Sequence, residues 1–285
     1  MSLYEQYFNK NIEVISGDEL KKQQNEKFLK QWTYTIKNSR FYQEKYRTAN
    51  VDLTMIKSID DLKLLPFTEK EELRQALLEQ GPKLGSNQAA KMEEIIRIHA
   101  SSGTTGKPTY VGITKKDAKL WEEGIARSFW AAGIRPNDIV AHCFNYSMFV
   151  GGLANHMGGE KLGATMIPIG IGQSKRLINI IQDLGVTTIT ATPSYILYLA
   201  KLVKEELGLE PGDLGVKRII TGGEPGGGIP KTRELIETIW NAQCLELMGS
   251  VDIHPIMGSE CEYQAGMHFH IDRKASCRER VLTDV

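Results

Sequence analysis

Residues 101–109 combine two glycines, five hydroxyl side chains and one lysine in a pattern typical of a phosphate-binding loop. Gly103 and Gly106 allow backbone conformations that a Cβ would forbid, so consecutive amide N–H groups can turn toward an anion. Lys107 adds a point charge suited to phosphate oxygens, and the proline that follows it ends the flexible part. We therefore predict that this loop wraps the phosphates of ATP.

The spacing within the loop narrows the class of protein. Only two residues separate the glycines and proline follows the lysine, whereas the P-loop of NTPases reads Gly-x-x-x-x-Gly-Lys-Ser/Thr, so a Walker-type kinase is disfavoured. The alternative is a polar surface turn, because Ser, Thr and Gly gather in loops. Apolar stretches at 95–98 and 110–113 predict a hairpin that would hold the loop. The hydroxyl side chains of the loop are further nucleotide-binding candidates: Ser101, Ser102, Thr104, Thr105 and Thr109. The catalytic candidates are Lys107, Thr104 and Thr105.

Composition and charge exclude several other classes. The 285 residues are 41% hydrophobic, enough for one large or two ordinary domains. Basic and acidic residues number 35 each, so no global field favours nucleic acid or an anionic membrane. No apolar run could span a bilayer and the N-terminus lacks a secretory pattern, so we expect a cytoplasmic protein. Four scattered cysteines without a CxxC pair argue against a disulfide scaffold.

The elements that must position the loop differ before and after it. Residues 1–94 are polar, and helical spacing at 19–38, 58–64 and 68–78 predicts a helical N-terminal layer, with Thr68 capping the third helix. After the loop, helices alternate with short apolar runs. Predicted strands lie at 138–143, 164–168, 187–191, 216–221 and 244–248.

This alternation indicates an α/β fold. Strands separated by helices imply right-handed crossovers and a mostly parallel sheet with helices on both faces. Ligands of such sheets bind beyond the carboxyl ends of the strands. We therefore place a nucleotide- and acyl-binding α/β domain at 95–270, followed by an atypical tail at 271–285.

Several short motifs add a family resemblance. Residues 65–70 read Leu-Pro-Phe-Thr-Glu-Lys, Ile-His-Ala precedes the loop at 98–100, and residues 222–225 read Gly-Gly-Glu-Pro. They are similar to the Leu-Pro-x-x-x-Lys signature, the phosphate motif and the Gly-Ala-Glu-Pro turn of the phenylacetate-CoA ligase group of adenylate-forming enzymes. Together with residues 191–195 and 260–262, the resemblance extends to about residue 270.

The resemblance implies a two-step reaction. In such enzymes a carboxylate attacks the α-phosphate of ATP and releases pyrophosphate, and the acyl group then passes from the adenylate to coenzyme A. The loop amides, Lys107 and Mg²⁺ would neutralise charge on the departing pyrophosphate. The expected substrate is a small carboxylic acid, phenylacetate or a related aryl acid. Relatives are often dimers, so a homodimer is the oligomer that the resemblance suggests.

Two turns are assigned to the nucleotide by the resemblance. The first follows a predicted strand and lines the adenine and acyl pockets in the family, with an ordinary glycine turn as the alternative; it contains Gly222, Gly223, Glu224 and Pro225. The second aligns with the family's Tyr-Gly-x-Ser/Thr-Glu motif and contains Met248, Gly249, Ser250, Val251 and Asp252.

The second turn departs from the family pattern. Met248 can still cover a base with apolar surface, and Asp252 can still ligate Mg²⁺. Val251 lacks the hydroxyl that the family directs to the α-phosphate, and Ser250 is the candidate substitute. We expect reduced affinity or rate with ATP, or a changed nucleotide preference.

The acyl group is assigned to residues 145–152, which follow a strand and combine aromatic walls with small residues. They resemble the group's aryl-acid pocket, and the substrate candidates are Tyr146, Phe149 and Gly151, together with Gly222. Aromatic side chains that follow a strand also commonly pack into the hydrophobic core without touching a ligand, so a core role for Tyr146 and Phe149 stays open.

A zinc site is a further hypothesis. His254, Cys261 and His268 are spaced at seven residues each, and imidazole and thiolate are ligands that zinc uses. The spacing is not that of a standard finger. Exposed histidines and a buried thiol are the alternative.

The resemblance also implies parts that are not recognisable here: a ribose-binding Asp, a hinge, and a C-terminal lid with a catalytic Lys. We therefore expect an incomplete ligase without its lid domain. Three functions stay open. They are an ATP-dependent aryl acid–CoA ligase, a catalytically silent AMP- or acyl-binding module, and an adenylyltransferase with an acceptor other than CoA.

Overall fold

The computed structural model describes residues 7–79, 81–101 and 108–269. Contacts divide the chain into two compact units, one from the first 13 residues together with the chain from Ala118 onward, and the other from Val14 to Asp117. The division by contacts therefore keeps the hairpin around the loop with the helical region, whereas the sequence prediction placed the boundary after residue 94.

The unit from Val14 to Asp117 begins with helices. They are α2 (Gly17–Asn38), α3 (Arg40–Thr48) and α4 (Lys70–Leu78), with a short α1 (Lys10–Glu13) preceding them in the other unit. The predicted helix at 58–64 is a 3-10 helix, Ile59–Leu64. The predicted cap at Thr68 is wrong. Glu69 caps α4 instead, because its carboxylate and that of Glu72 satisfy each other's backbone N–H groups in a reciprocal capping box.

The predicted hairpin is present in the same unit. Strand β1 (Ile95–Ala100) pairs antiparallel with β2 (Tyr110–Thr114), and the backbone N–H of Ser101 donates to the carbonyl of Thr109 at 3.0 Å. The two ends of the loop are therefore held side by side. Residues 102–107 lie outside the described residues.

The other unit is an α/β sheet. Its parallel strands are β3 (Ile139–His142), β4 (Thr165–Ile167), β5 (Thr188–Ala191), β6 (Arg218–Thr221) and β7 (Gln243–Ser250), followed by antiparallel β8 (His254–Ser259) and β9 (His268–Phe269). The strand order is β4-β3-β5-β6-β7-β8-β9. The prediction of a mostly parallel α/β sheet is confirmed, and the antiparallel strands β8 and β9 were not predicted.

Helices between the strands cover the sheet. They are α5 (Lys115–Ala131), α6 (Val150–Leu162), α7 (Ser174–Leu184), α8 (Pro193–Leu207) and α9 (Pro230–Trp240). Alternate strand residues point to opposite faces. Ala141 joins the buried core formed with α7, α8 and α9, whereas the next residue, His142, contacts Gly152 of α6. The two faces are thus covered by different helices.

The core is densely apolar and includes two thiols. Trp240, Ile189 and Ile219 are fully buried, as expected for strands covered on both faces. Burial raises the pKa of Cys143 and of Cys244 to about 12. In the described parts of the chain, no helix has both the length and the apolar character that crossing a membrane requires.

Candidate functional site

The predicted turn after β6 lies at the carboxyl edge of the sheet. Gly223 has a φ of +83°, in the left-handed region that favours glycine, and a Cβ on Gly222 would lie 2.9 Å from the carbonyl oxygen of Leu247. Glu224 Oε1 accepts a hydrogen bond from the backbone N–H of Ser194 at 2.8 Å. This bond ties the turn to the first turn of α8, so both segments are fixed where a ligand of the sheet would bind.

A buried ion pair, which sequence reasoning missed, supports the glycines that follow this turn. Arg233 Nε donates to the carbonyl of Gly227 at 2.8 Å, and its Nη2 pairs with Glu260 Oε2 at 2.5 Å. The same carboxylate oxygen accepts the backbone N–H of Glu246 at 2.9 Å. Arg233 therefore connects α9, the glycine turn and strand β7 through one guanidinium.

In the segment after β3, the predicted acyl-site residues differ in their hydrogen bonding and in their exposure to solvent. The Tyr146 hydroxyl lies 3.0 Å from His156 Nδ1, and His156 Nε2 lies 3.2 Å from a carboxylate oxygen of Glu160. Because a carboxylate only accepts, His156 Nε2 donates to Glu160, while the other ring nitrogen, Nδ1, faces the Tyr146 hydroxyl. Burial raises the pKa of Tyr146. Phe149, in contrast, is exposed at the N-terminus of α6.

His142 supports this segment from inside the sheet. Its Nε2 donates to the carbonyl oxygen of Gly152 at 2.7 Å, so its Nδ1 accepts from the hydroxyl of Thr190. The side chain is fully buried, and burial lowers the pKa of His142 to about 4. The neutral ring therefore bridges β3, β5 and the first turn of α6.

We expect this burial to make stability pH-dependent. Since the pKa of His142 is about 4 in the folded chain and about 6.5 when unfolded, the unfolded chain binds the extra proton first as pH falls. Between pH 6 and pH 4.5 the free energy of unfolding should fall by roughly 1.4 kcal/mol per pH unit from this group. Urea unfolding of the native chain and of His142→Gln at pH 7, 6 and 5 measures this; equal pH slopes in the two would contradict it.

The end of β7, Met248 to Ser250, and the turn into β8 hold the second set of nucleotide candidates. A Cβ on Gly249 would lie 1.9 Å from the carbonyl oxygen of Pro255, so the strands cross closely only because this residue is glycine. Ser250 Oγ accepts the backbone N–H of Asp252 at 3.3 Å, which gives the Ser250 hydroxyl a role in shaping the turn. Met248 is partly exposed and Asp252 is exposed.

The predicted three-residue zinc set is not formed. Cys261 Sγ lies 3.4 Å from His268 Nε2, but His254 packs edge-on against Trp121. The reason is that His254 begins β8 and Cys261 lies beyond its end, and an extended strand of that length separates them by roughly 20 Å. Among the residues that the structure describes, no three of His, Cys, Asp and Glu are grouped to hold a metal. His254, Cys261 and His268 therefore do not fit a structural zinc site, which needs four ligands.

In the other unit, the lysine of the Leu-Pro-x-x-x-Lys signature contacts the end of the loop. Lys70 Nζ donates to Thr109 Oγ1 at 2.6 Å, and the backbone N–H of Thr109 donates to Ser101 Oγ at 2.9 Å. The residues between them lie outside the described residues, and their roles stay predictions; they are Ser102, Gly103, Thr104, Thr105, Gly106 and Lys107. The signature lysine thus anchors the junction from which the loop departs.

Comparison with known proteins identifies the class. The family model described as AMP-binding enzyme matches residues 29–244, and the chain belongs to this family. The predicted resemblance to the phenylacetate-CoA ligase group is also confirmed. The chain is 34% identical over 267 residues to phenylacetate-coenzyme A ligase of Thermus thermophilus, with 93% of the chain and 58% of that protein covered. It is 35% identical over 253 residues to phenylacetate-coenzyme A ligase of Escherichia coli K12, with 88% of the chain and 56% of that protein covered.

Solved structures agree with this assignment. The chain resembles 2-hydroxyisobutyryl-CoA ligase in an open conformation with 2-HIB-AMP and CoA at a TM-score of 0.86 and 27% identity, over 94% of the chain and 62% of that structure. The thioesterification state of the same enzyme gives a TM-score of 0.82 and 29% identity, over 89% of the chain and 54% of that structure. The chain spans a little more than half the length of the Thermus and Escherichia relatives.

Proposed function

We propose that this chain carries the nucleotide- and acyl-binding region of an ATP-dependent acid–thiol ligase. The enzyme would activate phenylacetate or a related aryl acid as an acyl-adenylate and transfer it to coenzyme A. The observation that supports the proposal most is the Gly222–Pro225 turn at the carboxyl edge of the sheet. Glu224 fixes the geometry of this turn by accepting a hydrogen bond from a backbone N–H at the N-terminus of α8.

The residues at that edge have separate roles in the proposal. Exposed backbone at Gly223 and Pro225 would contact the adenine, and Tyr146 would form a wall of the acyl pocket. In the first step a carboxylate oxygen forms a bond to the α-phosphorus of ATP and the bond to pyrophosphate breaks. Lys107 would bind phosphate oxygens and offset the charge that develops on the leaving pyrophosphate.

Asp252 is the proposed magnesium ligand. It is exposed on a turn whose backbone Ser250 holds, and one carboxylate completed by waters and phosphate oxygens is an arrangement that Mg²⁺ uses. When bound, Mg²⁺ would supply charge neutralisation on the phosphates. The residue therefore fits the ion.

Exchange of labelled pyrophosphate into ATP tests the proposal. We expect exchange that depends on an added acid, with phenylacetate compared with benzoate, 2-hydroxyisobutyrate and acetate. Glu224→Gln loses the charged acceptor for the Ser194 N–H, and losing a charge-assisted hydrogen bond should reduce exchange by about tenfold or more. Lys107→Ala should abolish it.

Glu234→Gln is the matched control, because Glu234 is an exposed carboxylate on α9 and should leave exchange unchanged. ATP binding without exchange for any acid would contradict the ligase proposal and favour a binding module. Product analysis with CoA present separates a thioester product from transfer to another acceptor.

A further inference from the structure

A polar cavity lies at the amino-terminal edge of the sheet, at the opposite end of β6 from the Gly222–Pro225 turn. Its volume is about 290 Å³, at the lower end of the range for small-ligand pockets, roughly 300–1,000 Å³. It is lined by the α5–β3 loop, by Lys217 and Arg218 at the start of β6, and by Glu262 after β8. Substrates of such sheets bind at the carboxyl edge, so this cavity is separate from the proposed ligase site.

One arginine of the cavity is fixed from behind by the α5–β3 loop. The guanidinium of Arg135 stacks on Trp130, with its Cζ 4.2 Å from the ring centroid. Its Nη1 donates to the carbonyls of Trp130 and Ile134 at 2.7 and 2.9 Å. These contacts orient the guanidinium without neutralising it, since carbonyl oxygens carry no formal charge. Its Nη2 lies 3.7 Å from a carboxylate oxygen of Glu262.

The second arginine lies against a glycine. A Cβ on Gly133 would lie 2.7 Å from Arg218 Nε, and Gly133 has a φ of +84°. The Arg218 guanidinium therefore packs directly on the loop backbone, whose positive φ at Gly133 favours glycine. Among the described residues, the only polar partner recorded for this guanidinium is Asp138, at 3.6 Å, which is longer than a hydrogen bond. Most of its N–H groups are thus available to a ligand.

The two carboxylates of the cavity offset part of its positive charge. Asp138 is buried, and its oxygens already accept from the backbone N–H of Arg135 and from the hydroxyl of Thr187, both at 2.7 Å. Glu262 is half-exposed and screened by water. Lys217 is exposed at the rim and has no recorded ion pair within the described chain. Three cations against two carboxylates leave a net positive charge.

We propose that this cavity binds a small phosphate-bearing anion. Planar guanidinium groups match phosphate oxygens with paired hydrogen bonds, and Arg135, which backbone carbonyls and Trp130 orient, loses little freedom on binding. Lys217 adds a charge at the mouth. The exposed amide of Asn137, also in the lining, supplies a further polar contact.

Titration of the ¹⁵N-labelled chain tests the proposal, with inorganic phosphate and a phosphomonoester such as glycerol phosphate as separate probes at constant ionic strength. We expect saturable shifts of the backbone amides of Gly133 and Asn137. Tighter binding of the ester would identify a metabolite's phosphate as the ligand, and equal or tighter binding of inorganic phosphate would identify the free ion. Arg218→Gln should weaken binding by about tenfold or more, as should Lys217→Glu, which changes only an exposed side chain.

Lys231→Glu is the matched control, since it makes the same charge change at an exposed lysine of α9 and should leave the shifts intact. No saturable shift at Gly133 with either probe, or the same affinity in Lys217→Glu as in the native chain, would overturn the proposal. Shifts confined to Gly223 would also overturn it, because they report the carboxyl edge. Binding at Gly133 stands whether or not the chain exchanges pyrophosphate, so the two proposals fail separately.

Discussion

Replacing Arg233 by methionine is expected to destabilise the fold by about 3–5 kcal/mol, the usual cost of leaving a buried charge without its partner. The side chains of Arg233 and Glu260 are only 16% and 6% exposed. Without the guanidinium, the Glu260 carboxylate keeps only its hydrogen bond from the Glu246 N–H. The carbonyl of Gly227 loses its donor as well. Urea unfolding at pH 7 measures the change in free energy.

A second substitution separates the charge from the packing. Glu260→Gln in the Arg233→Met background removes the unpaired charge while an amide oxygen can still accept from the Glu246 N–H, so part of the lost stability should return. The exposed pair Arg40–Glu44 is the control, and Arg40→Met should change stability far less, because water screens an exposed ion pair. If Arg233→Met cost no more than Arg40→Met, the ion pair would not hold the glycine turn.

Two adjacent glycines of α6 are expected to respond to alanine with opposite signs. A Cβ on Gly152 would lie 2.0 Å from the carbonyl oxygen of Asn145, which is backbone and cannot swing away, whereas a Cβ on Gly151 meets nothing within 4 Å. Gly152→Ala should therefore destabilise by about 3 kcal/mol, at the upper end for overpacking. Gly151→Ala should stabilise by up to about 1 kcal/mol, because alanine favours the helix.

The same pair of variants tests the acyl segment. Displacing Asn145 by a Cβ at Gly152 would also disturb the bond between His142 and the Gly152 carbonyl, so Tyr146 should shift with it. Unfolding free energies give the first result, and binding of phenylacetate in the presence of ATP gives the second. Normal phenylacetate binding in Gly152→Ala would contradict this placement of the acyl site.

Much of the fold was predictable because its strands are short apolar runs between amphipathic helices. The run at 187–191, for example, predicted β5 to within one residue, because its β-branched Thr and Ile residues favour a strand and it lies between two helical segments. Strands β8 and β9 were missed since His254, Pro255 and Gly258 interrupt the apolar pattern of β8 and β9 has two residues. Antiparallel pairing of β8 to β7 and of β9 to β8 decides their structure, and local sequence does not encode it.

The candidate site was predictable where backbone conformation demands a residue type. The turn at 222–225 was found from its resemblance to the family's Gly-Ala-Glu-Pro turn, and Gly223 does adopt a positive φ. The pairing of Arg233 with Glu260 left no signal, because the two residues are 27 positions apart and neither belongs to a motif that spacing reveals. The even spacing of His254, Cys261 and His268 was misleading for a related reason: equal intervals along a chain are not equal distances once a strand extends between them.

The buried thiols of Cys143 and Cys244 can be used to measure how often the sheet opens locally. Alkylating reagents attack the thiolate, and pKa values of about 12 leave almost none of it in the closed protein at neutral pH. Iodoacetamide can therefore modify them only when the end of β3 or the beginning of β7 separates from its neighbours. The labelling rate at each of the two cysteines then reports how often that part of the protein opens.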